Sequence, residues 1–153
     1  MRVFRILQKP FVDVALTGDG ARRDGARWNS RGVPMVYCAE SRALAVLEML
    51  VHVDPATMPD DLCILTVNIP DDIFPVVLGP ARLPKTWREY PAPTELRDIG
   101  DAWVTSLESC VLSVPSAVLP QERCYLLNPL HRDMARITVE KAEDFLFDPR
   151  LLA

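Results

Sequence analysis

The strongest constraint on the fold is an apolar run that contains a single carboxylate. From Ala43 to Val53 every residue is apolar except Glu48 and His52. Ser41, just before this run, is a favourable N-cap, so we predict a helix that begins after Ser41 and is buried on most of its circumference. Apolar residues lie three and four positions from Glu48, so the carboxylate falls on the apolar stripe of that helix.

A buried carboxylate needs a partner, because leaving it unpaired costs roughly several kcal/mol. Arg27 is the nearest candidate in the preceding segment. A structural ion pair and a Glu48 that reaches solvent at the helix edge are both alternatives to a catalytic role, since structural networks also hold charges in cores.

Composition indicates an ordinary globular protein of one domain spanning residues 1–153, with 49% hydrophobic and 25% charged residues. The net charge of −4 and the pI near 5.2 argue against a general nucleic-acid binder, which needs a cationic surface. A local cluster of arginines could instead serve a small anionic ligand. It comprises Arg22, Arg23, Arg27 and Arg31.

The cysteines favour a reducing, cytoplasmic compartment. Four are present without CxxC spacing, and the N-terminus lacks the apolar core of a signal peptide. No apolar run approaches the roughly 20 residues that span a bilayer. The two histidines and scattered cysteines show no metal-site spacing, so we expect no metal and no membrane association.

Alternation of apolar and polar residues predicts several strands. Residues 2–7 form the first, in which Arg5 either shares a lined face with Val3 and Leu7 or is an exposed edge-strand arginine. Pro115 breaks a later strand and should make it an edge, a bulge or a bend. The strands predicted after the central helix cover residues 62–69, 112–119, 123–128, 136–140 and 145–147.

Turn-forming residues mark the remaining segments. Glycines at both ends of residues 18–25 predict a loop, which lacks the Gly-Lys-Ser/Thr ending of a phosphate loop. Six prolines between residues 70 and 93 forbid a long helix there, and Trp87 and Tyr90 within that segment are interpreted as packing residues. A helical turn at 94–99 and a separate helix at 101–110 should follow. These elements predict a single α+β domain with mainly antiparallel strands and a few helices.

Several segments in order resemble the RES domain family, named for an Arg, a Glu and a Ser. The first three are Gly-Ala-Arg-Trp-Asn at 25–29, Val-Tyr-Cys-Ala-Glu-Ser at 36–41 and Leu-Ala-Val-Leu-Glu-Met-Leu-Val-His at 44–52. The later ones are Gly-Asp-Ala-Trp at 100–103, Val-Pro-Ser-Ala-Val at 114–118 and Leu-Leu-Asn-Pro-Leu-His at 126–131. Together they span nearly the whole chain. The chain departs from the family pattern at Arg123-Cys124-Tyr125 and at Arg132, outside the Arg, Glu and Ser set.

The resemblance implies a fold akin to ADP-ribosyltransferases and diphtheria-type toxins, with NAD as substrate. Matched position by position, it assigns Arg27 to the pyrophosphate or its adjoining ribose, and Tyr37 to the nicotinamide side, by stacking or through its hydroxyl. Glu48 would hold a ribose hydroxyl and stabilise developing positive charge, and Ser116 would hydrogen-bond the substrate or Glu48. These residue types suit cleavage of the nicotinamide–ribose bond, which needs a guanidinium, an aromatic ring and a carboxylate.

The family likeness further implies a toxin of a bacterial toxin–antitoxin module, which degrades NAD by hydrolysis or phosphorolysis and arrests growth. Its partner would be an Xre-type helix-turn-helix antitoxin that blocks the active site and supplies the DNA contact; a homodimer within that complex is compatible with the resemblance. Transfer of ADP-ribose to a protein and a non-catalytic partner-binding module are the alternatives. A Ser116 nucleophile with His52 or His131 as base is weaker, since no Gly-x-Ser-x-Gly elbow surrounds it.

Overall fold

A single seven-stranded sheet organises the protein. The computed structural model describes residues 1–152, and the sheet order is β4-β5-β6-β2-β1-β3-β7. All neighbouring strands are antiparallel except β4 and β5. The strands are β1 Arg2–Gln8, β2 Val36–Ala39, β3 Leu62–Asn68, β4 Val76–Val77, β5 Val111–Pro115, β6 Arg123–Leu127 and β7 Thr138–Asp144. The predicted α+β class is confirmed.

Three α-helices accompany this sheet: α1 Asp19–Asp24, α2 Arg42–Leu50 and α3 Thr94–Ser106. Helix α2 begins as predicted, because the Ser41 hydroxyl accepts the Leu44 backbone N–H at 3.0 Å. Short 3₁₀ segments at residues 9–14, 55–57, 80–82, 132–136 and 149–151 complete the chain.

Hydrophobic packing differs between the two faces of the sheet. One face carries side chains of β1, β2, β3, β5 and β6, including Val3, Val36 and Leu65, in one buried cluster. A second cluster joins Trp103 of α3 to Leu126 of β6, and a third places Leu44 of α2 close to β1 and β2. Because strand side chains alternate between faces, the same strands serve both layers.

The junction between β1 and β2 is the weakest link of the sheet. Strand β1 pairs with β3 over seven consecutive residues, from Arg2 to Gln8. It pairs with β2 through a single position, Phe4 opposite Ala39. The two strands therefore diverge, and we call this gap the β1–β2 seam.

Several predictions of secondary structure are wrong. Residues 19–24 are helical although glycines flank them, and α3 runs unbroken through the predicted division at Gly100. Residues 145–147 lie outside any strand, whereas β7 continues to Asp144 by pairing with β3. Helix α2 is less buried than expected, since only Leu44 and Ala45 are fully buried.

The β5 prediction is partly correct. The strand ends at Pro115, but it is flanked by β4 and β6 and is not an edge. The two-residue strand β4 caused the error, because so short an element has no sequence periodicity.

Candidate functional site

A cleft of about 690 Å³ lies along the β1–β2 seam. This volume suits a ligand of cofactor size. The titratable side chains that line it come from most elements of the fold: Arg5 from β1, Arg27 from the loop after α1, Tyr37 and Cys38 from β2, Glu48 from α2, His52 from the turn after α2, Tyr90 from the proline-rich segment, Arg97 from α3 and Cys124 from β6.

Glu48 is the carboxylate of the cleft. Oε1 accepts a hydrogen bond of 2.6 Å from the Ser116 hydroxyl and one of 3.3 Å from the Cys124 thiol. Ser116 directly follows β5 and Cys124 lies on β6, so both donors are far from α2 in the sequence. The carboxylate is partly buried, so these donors orient it at the cleft wall.

Ser116 contacts Glu48 from outside the cleft lining. The residue is only 1% exposed, and its Oγ also accepts backbone N–H bonds from Val118 and Leu119 at 3.1 and 3.0 Å. Of the two partners predicted for Ser116, substrate or Glu48, the structure shows the bond to Glu48. The Ser116 hydroxyl donates its hydrogen bond to Glu48 and not to His52 or His131, so this geometry does not support the nucleophile hypothesis.

Arg27 lines the cleft but does not pair with Glu48. Within residues 1–152, no nitrogen of the Arg27 guanidinium lies within 4.0 Å of a carboxylate oxygen of Glu48. Instead, Arg27 Nη1 donates to the backbone oxygens of Trp87 and Glu89, at 2.8 and 3.2 Å. Burial lowers the pKa of Arg27, and the charge of Glu48 opposes that shift. The expected direct ion pair is therefore replaced by a longer-range attraction across the cleft.

Tyr37 has its hydroxyl fully engaged. It donates to Asn29 Oδ1 at 2.8 Å and accepts the Trp28 backbone N–H at 3.0 Å. Burial raises the pKa of this phenol above its ordinary value, so it remains protonated in neutral solution. The ring is the part of Tyr37 left to meet a ligand, which favours the stacking role over the hydroxyl role.

Cys124 shares the carboxylate with Ser116. Burial and the neighbouring charge of Glu48 raise the pKa of the Cys124 thiol well above its ordinary value. A neutral thiol is a weak nucleophile, so Cys124 serves here as a hydrogen-bond donor.

Arg5 is an interior residue of the sheet. Its strand, β1, lies between β2 and β3, so the edge-strand alternative is wrong. Nη1 donates to the Tyr37 backbone oxygen at 3.0 Å across the seam. The bond replaces a ladder contact that the diverging strands no longer make.

The predicted arginine cluster does not line the cleft as a group. Arg22 pairs with Asp19 and Arg23 with Asp24, both with exposed side chains. Only Arg27 of the four lines the cleft, where Arg5 and Arg97 join it. With three arginines and one carboxylate, the cleft is positive in a protein of net charge −4, which favours an anionic ligand.

Tyr90 was misinterpreted from the sequence. It is 84% exposed and lies at the cleft, so it is not the packing residue that was predicted, whereas Trp87 is buried as expected. The backbone oxygen of its neighbour Glu89 accepts a hydrogen bond from Arg27 Nη1. Neither this link nor the position of Arg97 leaves a periodic signal in the sequence.

Helix α3 fixes the loop that carries Arg27. Asp101 Oδ1 accepts the Ser30 backbone N–H at 2.9 Å, and Arg97 Nε donates to the Ala26 oxygen at 3.2 Å. Between them, Gly100 packs so tightly that a Cβ there would lie 1.7 Å from the Trp28 oxygen. The glycine is therefore required for this close approach.

Other candidate features lie apart from the cleft. A depression of about 500 Å³ is bordered by Leu107, Glu108, Leu130, His131 and Arg132. It includes none of Arg27, Tyr37, Glu48 and Ser116, and it places His131, one of the two histidines considered as a base, away from the cleft. Among residues 1–152, no group of three or more His, Cys, Asp or Glu side chains is arranged to hold a metal ion. No helix in that range has the length and apolarity to cross a membrane.

Comparison with known proteins confirms the resemblance found in the sequence. The family model of the RES domain matches residues 2–148. The chain is 37% identical over 139 residues to the "Prs ADP-ribosylating toxin" of Sphingobium sp. strain YBL2, covering 90% of this chain and 86% of that protein. It is 36% identical over 152 residues to "Toxin Res" of Yersinia enterocolitica, covering 99% of each.

The fold has a counterpart among solved structures. The crystal structure of the MbcT–MbcA toxin–antitoxin complex of M. tuberculosis contains a chain that superposes with a TM-score of 0.77. The alignment covers 94% of this chain and 83% of that one at 18% identity, so the likeness concerns the fold.

Proposed function

The chain belongs to the RES domain family, and from this membership we propose that it is the toxin of a bacterial toxin–antitoxin module and consumes NAD. In this proposal residues 1–153 form one domain, and the reaction breaks the bond between nicotinamide N1 and ribose C1′. The substrate is a cytoplasmic cofactor, so the activity belongs in the cytoplasm.

The observation that carries this proposal is the single carboxylate, held by one donor that directly follows β5 and one on β6, in a cleft that three arginines also line. As the glycosidic bond breaks, its electron pair moves to the nicotinamide nitrogen and positive charge develops on the ribose. A preorganised carboxylate beside that ribose stabilises the transition state more than the ground state.

The other residues take supporting roles in this scheme. Arg27 keeps Nη1 on the Trp87 and Glu89 oxygens and has its remaining N–H groups available for the pyrophosphate. The Tyr37 ring borders the nicotinamide, and Ser116 positions Glu48 without touching the substrate.

Two outcomes of the same chemistry differ in the acceptor. Water would give free ADP-ribose and release its proton, and phosphate would give phosphorylated ADP-ribose. The relative named as an ADP-ribosylating toxin favours a second candidate, transfer to a protein side chain. We place hydrolysis or phosphorolysis first, because the cleft accommodates a cofactor-sized ligand in a cationic setting.

The test is incubation of the purified chain with NAD, with and without phosphate, followed by mass identification of products. We expect loss of NAD with free nicotinamide in both cases. A target protein carrying ADP-ribose would select the second candidate. Intact NAD, together with undiminished cellular NAD during growth arrest, would refute the proposal.

We also propose a restraining partner, an Xre-type antitoxin with a segment that covers the cleft mouth. Polar or anionic groups of that segment would meet the positive cleft and exclude NAD. The acidic chain is poorly suited to DNA, so the antitoxin would supply that contact. Antitoxin and NAD should bind the Glu48→Gln protein mutually exclusively; a ternary complex with undiminished NAD affinity would contradict the blocking mode.

A further inference from the structure

Tyr90 exposes its ring to solvent at the edge of the cleft. The residue is 84% exposed, more than any other exposed large hydrophobic side chain of residues 1–152, and it lines the cleft. Its ring belongs to none of the three buried clusters, and within the described residues it stacks on no other aromatic ring. Packing of the fold therefore does not account for an aromatic ring at this position.

The backbone beneath this ring is held from two sides. Arg27 Nη1 donates to the oxygens of Trp87 and Glu89, at 2.8 and 3.2 Å. Arg88 Nε donates to the Ala117 oxygen at 3.2 Å, and Trp87 is anchored in the second buried cluster. A tyrosine has two side-chain torsions, so on a fixed backbone it loses little conformational entropy when it meets a ligand.

The nearest functional groups are those that bind phosphates. The Glu89 oxygen, one residue before Tyr90, accepts its hydrogen bond from Arg27, which has further N–H groups available. Arg97 also lines the cleft, and within residues 1–152 it bonds the Ala26 oxygen through Nε alone. In a nucleotide the base lies one sugar away from the phosphate. An aromatic ring next to Arg27 therefore suits a base, which stacks through its π face.

The exposure of Tyr90 indicates which base of a dinucleotide it meets. In the proposed reaction the bond to nicotinamide breaks beside Glu48, which is partly buried and receives hydrogen bonds from Ser116 and Cys124. The Tyr37 ring, also partly buried, is assigned to that nicotinamide. Tyr90 lies at the solvent-exposed rim, so it faces the half of the ligand that does not react.

We propose that Tyr90 is a base-stacking residue of the cleft and that its ring takes the adenine of a bound adenine nucleotide. The inference rests on the proposed function for the identity of the full ligand, the dinucleotide NAD. It extends that function by assigning a subsite for the adenine and a residue that determines the preference for ligands with a base at that end.

The test compares two ligands that differ in the base. AMP carries adenine, and ribose 5-phosphate offers the same sugar phosphate without it. In NMR titrations Tyr90→Ala should weaken AMP by about fivefold to a hundredfold, the loss expected for one aromatic–base stack, and should leave ribose 5-phosphate unchanged. Tyr90→Phe keeps the ring and should bind AMP as the unmodified chain does.

Phe74→Ala is the matched control. Phe74 is 77% exposed and lies outside the cleft lining, so its removal should change neither affinity. Unchanged AMP affinity in Tyr90→Ala would overturn the inference. Equal weakening of AMP and ribose 5-phosphate would also overturn it, because a loss that ignores the base reflects a structural role.

Nicotinamide mononucleotide tests which base is bound. Tyr90→Ala should bind it as the unmodified chain does, because its ring is assigned to the inner part of the cleft beside Tyr37. A loss of affinity for nicotinamide mononucleotide as great as that for AMP would overturn the assignment to adenine.

A measurement on the unmodified chain does not depend on how a variant folds. The sequence has three tyrosines, so few tyrosine ring resonances are present, and that of Tyr90 is the one lost in Tyr90→Phe. AMP should shift this resonance through the ring current of the stacked base, whereas ribose 5-phosphate should not. A resonance that AMP leaves unmoved would contradict the inference.

Failure of this inference and failure of the proposed function give different results. In Tyr90→Ala the KM for NAD should rise by about fivefold to a hundredfold with kcat nearly unchanged, because the stack is made equally in the ground and transition states. NAD cleavage with an unchanged KM in this variant would refute the adenine site alone. Tyr90-dependent binding of AMP by a chain that leaves NAD intact would refute NAD consumption alone.

Discussion

The two flanks of β1 differ in how completely they are paired. Toward β3 the strand pairs at seven consecutive positions, whereas toward β2 it pairs only at Phe4 opposite Ala39. The closed flank is built from buried aliphatic residues such as Leu65 and Val67. The open flank collects the arginines, the tyrosine and the carboxylate of the cleft.

This difference gives the two flanks of β1 different roles, one structural and one in lining the cleft. A complete ladder satisfies its backbone groups and leaves no room for a ligand. An incomplete one needs side chains to take over, and Arg5 does so for the Tyr37 oxygen. Side chains along the seam are thus available to a ligand, so substitutions there should change activity and stability to different extents.

Glu48→Gln should show the largest difference between its effect on turnover and its effect on stability. The amide oxygen can still accept the Ser116 hydrogen bond, so the melting temperature should hardly change. Loss of the charge should lower NAD turnover by about a hundredfold to a thousandfold. Glu95→Gln, an exposed change in the first turn of α3, is the matched control. Near-normal turnover of a folded Glu48→Gln protein would exclude the proposed role.

Ser116→Ala should lower both stability and turnover. It removes a donor to Glu48 and an acceptor for two backbone N–H groups, which should cost about 1–3 kcal/mol of unfolding free energy. We expect kcat to fall about tenfold with KM nearly unchanged, because Ser116 orients Glu48 from outside the cleft.

Ser109→Ala is the control for that change. Ser109 is buried and bonds Trp103 Nε1 and the Val111 oxygen, away from the cleft. Denaturant unfolding should show a similar loss of stability with turnover preserved. An equal loss of turnover in both variants would mean that Ser116 acts only through stability.

Tyr37→Phe tests the ring against the hydroxyl. Losing the bonds to Trp28 and Asn29 should cost about 1–2 kcal/mol in unfolding free energy. Turnover should fall by less than about tenfold, the effect of a slightly loosened loop, because the ring remains. Tyr125→Phe, on β6 outside the cleft lining, is the control. A loss of turnover as large as that of Glu48→Gln would assign the chemistry to the hydroxyl.

The smallest expected effect is a pH dependence of stability from buried thiols. Burial raises the pKa of Cys38 to about 12 and that of Cys110 to about 11, from an ordinary value of 9.0. Below pH 9.0 both states keep the proton and the thiols contribute no slope; above it the unfolded chain loses protons first. The unfolding free energy should therefore fall as pH rises above 9.0, until the folded-state values are reached.

Urea unfolding at about pH 8 and about pH 10 measures that slope. Cys38→Ala should reduce it by up to about 1 kcal/mol per pH unit, since one pKa unit corresponds to about 1.4 kcal/mol. Cys110→Ala should act similarly although it lies outside the cleft lining. An unchanged slope in both variants would contradict the burial effect.

Local patterns predicted many of the elements but not their contacts. The apolar run gave helix α2 and its Ser41 cap, and alternation gave β1 and β3. The residues alone predicted Arg27 as the partner of Glu48 because it is near in sequence, and only the family resemblance offered Ser116. The actual donors, Ser116 and Cys124, come from β5–β6, whose packing against α2 is a long-range property without a local signal.

Family resemblance named Arg27, Tyr37, Glu48 and Ser116, and the structure brings Ser116 to Glu48 and lines the cleft with the other three. The pattern of β1 already offered an inward Arg5, which the structure selects over an exposed one. Tyr90 and Arg97 could not be found, because their positions depend on how the proline-rich segment and α3 fold over the loop of Arg27.

The contact at Gly100 limits how this sequence can vary. In most helices, replacing an interior glycine by alanine adds stability through intrinsic propensity. Here the added carbon would collide with the Trp28 oxygen and push back the loop that carries Arg27. Among cells selected to survive the unrestrained protein, suppressor substitutions should therefore arise at position 100 as well as in the cleft. A conserved glycine in an alignment of relatives would be a trace of packing, even though it touches no ligand.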